Sequence, residues 1–451
     1  MYIEKLTITH IRSIDRFEMV LDEPAGWHVI IGDNGAGKST IVRSAALAML
    51  DVDDINGARQ NWDDWLSQNQ QKGSINVEVR PDGEADGESN LVNNRIELRR
   101  ESNEPGAQTM LVKVVFRDHY TYTRHVSSGY QEYRPYSPMP TPVSVRADAP
   151  DNPTLINNFR AAWFSVAYGP YRRFTGGSPE FESVFRSNPR LGMHLSVFSE
   201  GVALTEALTF LRDTYARDLE SAQLRGQKTS VITDLKDFIN KTGLLPHGTT
   251  IDRVELSGIY FKDGNENTIS ALQMSDGYRS ILSMTFELIQ QLIRIYGADA
   301  VFANVRTGGT TIDLPGVVLI DEIDTHLHPT WQTRIGNWFL QYFPKLQFIV
   351  TTHSPLICRA CEHGSIWRLT APGSTEQSGE VTGLDRDRLI YGNVLDAFGT
   401  EVFGHEVTQS QKGLGLGKQL AQLNKKSFKG TITETERQEM YELRAKMPTA
   451  E

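Results

Sequence analysis

The stretch GDNGAGKST, residues 32–40, limits the folds open to this chain more than any other. It lies between the apolar run WHVII and the helical pattern STIVRSAALAML, and it matches G-x-x-x-x-G-K-[ST] from Gly32 through Gly37, Lys38 and Ser39. Glycines let successive backbone N–H groups turn inward around phosphate oxygens, and the start of the following helix adds the positive end of its dipole. Lys38 is placed to reach the β- and γ-phosphates, and the Ser39 hydroxyl to ligate Mg²⁺. The strand before and the helix after supply the context such a loop requires. The pattern therefore predicts a parallel α/β sheet carrying a nucleotide site. By itself it leaves kinases, GTPases, helicases and ABC proteins all open.

Three downstream segments narrow the choice. In VVLIDEIDTHLHP the run Val317–Ile320 has the composition of a strand buried on both faces. It ends in Asp321 and Glu322, two adjacent carboxylates at the carboxyl end of a strand, where α/β sheets bind ligands. Asp321 suits Mg²⁺ and Glu322 suits polarising the water that attacks a γ-phosphate. The strand of KLQFIVTTHSP brings His353 to the same sheet edge, as a γ-phosphate sensor. Between loop and acidic strand lies SALQMSDGYRSIL, where Ser275, Asp276 and Gly277 open a helix. A serine followed by a helix also suits an ordinary N-cap. Its place 42 positions ahead of Val317 is what points to function.

The ordered set GDNGAGKST, MSDGYRS, VVLIDEID and TTHS resembles the ABC ATPases. The nearest branch is the one containing RecF, the structural-maintenance-of-chromosomes proteins and the overcoming-lysogenization-defect nucleases. MSDGYRS resembles the ABC signature at Ser275 and Gly277, with Asp276 where glycine or serine is usual. The resemblance implies that the signature of one subunit meets the γ-phosphate held by the loop of another. Hydrolysis of ATP then requires a head-to-tail pair, and Asp324 falls in the D-loop that crosses their interface. HIRSI, near the start, resembles an aromatic-basic-serine step whose basic residue approaches nucleotide; here that residue is Arg12, with a solvated arginine as the plain alternative. The implied nucleotide contacts are Arg12, Asn34, Gly35, Ala36, Gly37, Lys38, Ser39, Thr40, Ser275, Asp276, Gly277 and Asp324. Lys38, Glu322 and His353 carry the catalysis, and Ser39 and Asp321 hold the metal.

The THLHP portion looks like the overcoming-lysogenization-defect group and its standalone relatives, including defence ATPases of the Septu and PARIS types. His326 and His328 stand two apart, a spacing that does not place both on one helix face, so they read as structural. WFSVAYGPYRRF, residues 163–174, lies near where ABC proteins place their Q-loop. It contains no glutamine, which puts that loop's metal contact in doubt. Arg172 or Arg173 meets phosphate or a partner, or the two are a solvated pair.

Ser39 and Ser275 stand 236 positions apart, and no heptad pattern fills the gap. SINVEVR, NRIELRR and LVKVVFRDHYTYTRHV alternate as antiparallel strands do. Residues 82–94 and 127–153 have loop composition, and 201–224 and 231–245 have helical periodicity. That is a compact β lobe plus a helical lobe, not a rod. The expected organisation is an ATPase lobe with a β insert over 1–175 and a helical insert over 176–265. A lobe over 266–394 carries signature, acidic strand and switch histidine, and a helical extension covers 395–451. Only 98 residues follow His353, and the acids Asp385 and Asp387 of DRDRLI fall in a polar loop, so no fused Toprim nuclease is expected. TETERQ reads as a capped helix start. The extension is either a docking or oligomerisation element or a simple stabilising one.

Composition sets the remaining bounds. Two cysteines, Cys358 and Cys361, exclude a disulfide framework and suit a reducing cytosol; they read as small buried residues on one helix face. The net charge of −10 removes the overall signature of a nucleic-acid protein, so DNA contact is left possible but unsupported. No apolar run approaches the roughly 18 residues of a membrane span, and the start lacks a signal peptide's apolar core, so a cytoplasmic location is expected with no membrane partner. Three functions compete. The first is a regulatory ATPase of a prokaryotic conflict system, self-pairing and controlling a separately encoded nuclease or toxin. The second is a RecF-like repair ATPase, disfavoured by the acidic charge and by THLHP. The third is a scaffold that binds ATP without turnover, disfavoured by Glu322 and His353.

Overall fold

The computed structural model describes residues 1–50, 52–58, 60, 62–82, 92–104, 107–116, 120–127, 163–172, 184, 187–202, 206–225, 230–374, 376–393, 397 and 411–446. Its strands are β1 (Tyr2–Ile11), β2 (Ile14–Val20), β3 (Gly26–Gly32), β4 (Lys72–Arg80), β5 (Val92–Glu104), β6 (Ala107–Phe116), β7 (Tyr120–Ser127) and β8 (Ser165–Tyr168). They continue as β9 (Thr250–Glu255), β10 (Gly258–Lys262), β11 (Thr268–Ser270), β12 (Gly316–Ile320), β13 (Leu346–Thr351), β14 (Gly364–Leu369) and β15 (Gly379–Glu380). The longer helices are α1 (Lys38–Met49), α2 (Pro189–Phe198), α3 (Glu206–Arg225), α4 (Val231–Thr242), α5 (Asp276–Tyr296), α6 (Ile335–Tyr342), α7 (Gly383–Tyr391), α8 (Gln411–Phe428) and α9 (Glu434–Lys446).

The fold is α/β, as the phosphate-loop pattern predicts. The central sheet runs β15-β14-β3-β13-β12-β8, and every neighbouring pair is parallel except β14 with β15. Every residue of β12 and β13 is buried, the pattern of strands covered on both faces. One polar residue interrupts the β13 run for a reason. The Gln347 amide accepts from the Ile3 N–H at 2.7 Å and donates to the Ile3 carbonyl at 2.7 Å, tying the core sheet to β1. β1 belongs to a second sheet, β2-β1-β4-β5-β6-β7, antiparallel throughout, in which β4 shows strict alternation of burial.

Helix α1 lies between these sheets, with Ile41, Ala45 and Met49 buried among Leu6, Ile75 and Leu319. On the opposite face of the core sheet, Trp27 packs its ring 5.3 Å from that of Phe348 and 6.2 Å from that of Phe339. Burying aromatics of this size contributes about 1.5–3 kcal/mol each. Leu211 of α3, Phe238 of α4 and Phe261 of β10 share that cluster with Ile281 and Phe286 of α5. The helical region and the signature helix α5 thus rest on one core. Cys358 and Cys361 are buried there in a helical segment, and burial pushes both thiols up, Cys361 well above its usual range.

Three local readings change. Residues 92 and 93, read as loop, begin β5 ahead of NRIELRR; Asn94 is buried and its amide donates to the Ala48 carbonyl at 2.9 Å. DRDRLI lies in helix α7, not a loop, because Leu389 and Ile390 bury one side of it while the acids stay outside. Strands β9 and β10 of the three-stranded meander β11-β10-β9 stand inside 176–265, the region read as helical, and β11 lies just beyond it. Residues 127–153 and Arg173 fall, apart from Ser127, outside the described residues.

In the extension, Leu420 and Leu423 of α8 pack on Met440 and Leu443 of α9 as a separate small cluster. The capping box before α9 is formed by the Thr433 N–H on Glu436 Oε2 at 3.0 Å and the Glu436 N–H on Thr433 Oγ1 at 3.3 Å. Among the described residues no helix is long and apolar enough to cross a membrane.

Candidate nucleotide site

The loop from β3 to α1 sits at the carboxyl ends of β3, β12 and β13. Gly35 and Gly37 have φ of 80° and 103°, a region glycine adopts without strain. Space also requires Gly37: a Cβ there would lie 2.9 Å from Ile14 Cγ1 and 3.0 Å from Ser13 Oγ. The turn after β1 is therefore seated against the loop. Asn34 and Gly35 form the exposed crest, while Ala36 and Thr40 are buried. Lys38 Nζ donates to the carbonyls of Gly32 at 2.7 Å and Asp33 at 3.0 Å and lies 3.5 Å from His353 Nδ1. Burial lowers the Lys38 pKa, and the carboxylates of Glu322, Asp321 and Asp324 oppose that shift.

The acidic pair is organised by hydroxyls. Asp321 is 1% exposed, and its Oδ1 accepts from Thr351 Oγ1 at 2.6 Å and from Ser39 Oγ at 3.1 Å. The Thr351 hydroxyl oxygen in turn accepts from the Glu322 N–H at 2.8 Å. Glu322 has φ 48°, left-handed backbone that costs a non-glycine residue about 1 kcal/mol or more, and Thr325 Oγ1 donates to its Oε2 at 3.2 Å. Asp324 Oδ1 accepts from Thr352 Oγ1 at 2.5 Å and from the His353 N–H at 3.3 Å. Hydroxyl and carboxylate oxygens meeting at Ser39 and Asp321 are the donor chemistry that Mg²⁺ takes. The two residues read as metal ligands and the three read as catalytic, Lys38, Glu322 and His353, therefore converge on one sheet edge.

Thr325, Thr351 and Thr352 went unread as site residues. For Thr351 and Thr352 the available signal was polar side chains ending an otherwise apolar strand, which need partners when buried; Thr325, in the turn after β12, gave no such signal.

The signature segment opens α5 as expected. Ser275 is the N-cap residue, yet its hydroxyl makes no capping bond and the residue is exposed. Asp276 is exposed and paired with Arg279 one turn on. Gly277 admits the 326–328 loop: a Cβ on it would lie 2.7 Å from the His326 carbonyl oxygen. His328 caps the short helix Pro329–Gln332, its Nδ1 3.4 Å from the Thr330 N–H and 2.9 Å from Thr330 Oγ1.

Arg12, in the turn after β1, has φ 51° and is half-buried, its guanidinium 4.5 Å over the Trp65 ring. Burial, with Arg43 nearby, lowers its pKa. Arg172 departs from both earlier readings. It is 4% exposed and bonded to the carbonyls of Gly169, Asp321, Glu322 and Ile323 and to Ser280 Oγ, so it is neither solvated nor open to phosphate.

Residues 179–359, fewer than half of the chain, match a family model described as "AAA domain, putative AbiEii toxin, Type IV TA system". The chain is similar to the "Retron Ec83 probable ATPase" of Escherichia coli, 38% identical over 107 residues, 24% of this chain and 18% of that protein. It is similar to the "Septu protein PtuA" of Bacillus mycoides (strain KBAB4), 23% identical over 372 residues, 81% of this chain and 40% of that protein. The matched stretches thus span well under two thirds of either relative's length. A solved SMC head bound to the C-winged helix domain of ScpA aligns at TM-score 0.43 and 15% identity, over 85% of this chain and 98% of that one. The chain is an α/β protein with an ATPase-type domain, and its relatives include a retron protein named as a probable ATPase and a Septu protein.

Proposed function

We propose that the chain is an ATPase whose sites complete only when two copies pair head to tail, and that it regulates a separate effector in an antiviral system. One observation carries the enzymatic reading: Lys38, Ser39, Asp321, Glu322 and His353 meet at the ends of three adjacent strands. Bound Mg²⁺ supplies charge neutralisation at the β- and γ-phosphates, with Ser39 and Asp321 as its protein oxygens. Lys38 exchanges its two loop carbonyls for phosphate oxygens. Glu322 orients and polarises the attacking water, and His353 stands beside Lys38 as the sensor of the γ-phosphate. The exposed Ser275, its hydroxyl unused within its own helix, supports contact with a second copy.

The effector role is supported by the resemblance to standalone defence ATPases and by the Septu and retron proteins among the relatives. Glu322→Gln tests the enzymatic core. It should abolish phosphate release while strengthening ATP-dependent self-association, followed by light scattering. Equal phosphate release from the variant and the natural protein would refute the mechanism. Co-purification with the product of the adjacent gene, with and without ATP, tests the regulatory half.

A further inference from the structure

Arg172 lies four residues beyond β8, and a guanidinium carries five N–H donors and no acceptor. All five are used. Nε donates to Ser280 Oγ at 3.1 Å, and Nη1 donates to the carbonyls of Gly169 at 3.0 Å and Asp321 at 2.9 Å. Nη2 donates to the carbonyls of Glu322 at 3.0 Å and Ile323 at 3.3 Å. Ser280 lies on the second turn of the signature helix α5, and the three consecutive carbonyls belong to the segment that carries both site carboxylates. One buried side chain therefore joins two parts of the site that are 41 positions apart in sequence.

We propose that Arg172 is a positioning residue that transmits displacement of the signature helix to the backbone of Glu322. The proposal rests on the reading of a paired ATPase. When the start of α5 meets the nucleotide of a second copy, Ser280 moves with the helix. Arg172 carries that movement to the carbonyls of residues 321–323. Glu322 is held in left-handed backbone, with its N–H on Thr351 and its carbonyl on Arg172, so a small shift there swings its carboxylate. The close approach of Gly277 to the His326 carbonyl couples the same two segments a second time.

The charge is as well chosen as the geometry. Burial lowers the Arg172 pKa to about 10, and the carboxylates of Asp324, Asp321 and Glu322 keep it charged. Lysine, with three donors on a flexible stem, cannot serve four carbonyls and a hydroxyl at once.

Three variants test the link, read by steady-state turnover and by amide exchange. Arg172→Met keeps the bulk and removes every donor; Ser280→Ala cuts only the helix end. Arg172→Met should lower kcat by roughly 10²-fold, the scale of a 1 Å misplacement, with the KM for ATP shifted less than about twofold. Amide exchange in residues 321–327 should accelerate by about tenfold or more, with α1 unchanged. Ser280→Ala should lower kcat severalfold at unchanged KM, and Arg172→Lys should not restore turnover. Ser280→Ala indistinguishable from the natural protein in kcat overturns the link. So does Arg172→Met with natural exchange over 321–327. If Arg172→Met does not fold, Ser280→Ala decides alone by the same kcat criterion. If the natural chain releases no phosphate, the ATPase reading fails and exchange over 321–327 in Ser280→Ala judges the link, faster exchange supporting it and natural exchange overturning it.

Discussion

The Ser39 hydroxyl and the Asp321 carboxylate, 282 positions apart, meet in a hydrogen bond of 3.1 Å. A hard divalent cation takes oxygen ligands, and this pair presents two beside the phosphate loop. Asp321→Asn keeps the shape and removes the charge. Phosphate release should fall by roughly 10²-fold or more at low Mg²⁺ and recover only in part at high Mg²⁺. A Mg²⁺ titration with the natural midpoint would remove Asp321 from the metal site.

Thr325 Oγ1 donates to Glu322 Oε2 at 3.2 Å and holds the carboxylate proposed to polarise water. Thr325→Val is nearly isosteric and breaks only that bond. We expect kcat to drop about tenfold, the loss of one orienting contact, with ATP affinity unchanged. Stopped-flow phosphate release beside equilibrium nucleotide binding separates the two terms. A change confined to affinity would contradict the orienting role.

How much of this was legible in the sequence depended on whether the signal was local. The loop GDNGAGKST, the strand Val317–Ile320 and the helix opening at Asp276 each have their cause within a dozen residues, and each forms where its pattern predicts. Arg172 is the opposite case. Its five acceptors include residues more than a hundred positions away, so no window of sequence distinguishes it from a solvated arginine. The start of β5 is a related case. Asn93 and Asn94 have the composition of a loop, but Asn94 satisfies its amide on the Ala48 carbonyl, a partner visible only once β5 lies on α1. Polar residues with distant partners are what single-sequence reasoning loses.

Gly277 sets a packing distance between signature helix and acidic loop. A Cβ would stand 2.7 Å from the His326 carbonyl oxygen, a backbone atom with little freedom to move. Gly277→Ala should cost about 1–3 kcal/mol of stability as an overpacking change and should weaken ATP-dependent self-association. Thermal unfolding and light scattering together check this. A natural melting temperature would show that the contact yields freely.

Asp276 stands where a resembling signature has glycine or serine, and Arg279 pairs with it on the exposed start of α5. An exposed pair of this kind contributes little to folding, about 0–1 kcal/mol. Its effect should instead appear on approach of a second copy's triphosphate. Arg279→Ala leaves the carboxylate uncompensated and should weaken ATP-dependent association severalfold at low salt, less at high salt. Adding Asp276→Gly should restore it. A loss that does not depend on salt would rule out charge as the cause.

His28 gives the fold a pH limit. Its Nε2 lies 3.0 Å from the Pro24 carbonyl and so carries the proton, and its Nδ1 accepts from Ser365 Oγ at 2.8 Å, which in turn accepts from Trp367 Nε1 at 2.7 Å. Burial lowers the His28 pKa from 6.5 to about 4, so the native state keeps it neutral while the unfolded chain takes up a proton below pH 6.5. The unfolded state then binds more protons, and stability falls as pH drops from 6.5 toward 4, by roughly 1.4 kcal/mol for each unit. His194 is lowered to about 4 by burial as well and adds to the slope. Melting temperatures across pH 4–7.5 should therefore decline on the acid side. His28→Gln, which cannot titrate, should melt lower at pH 7 but lose less per pH unit. Parallel curves for the variant and the natural protein would show that His28 is not the group responsible.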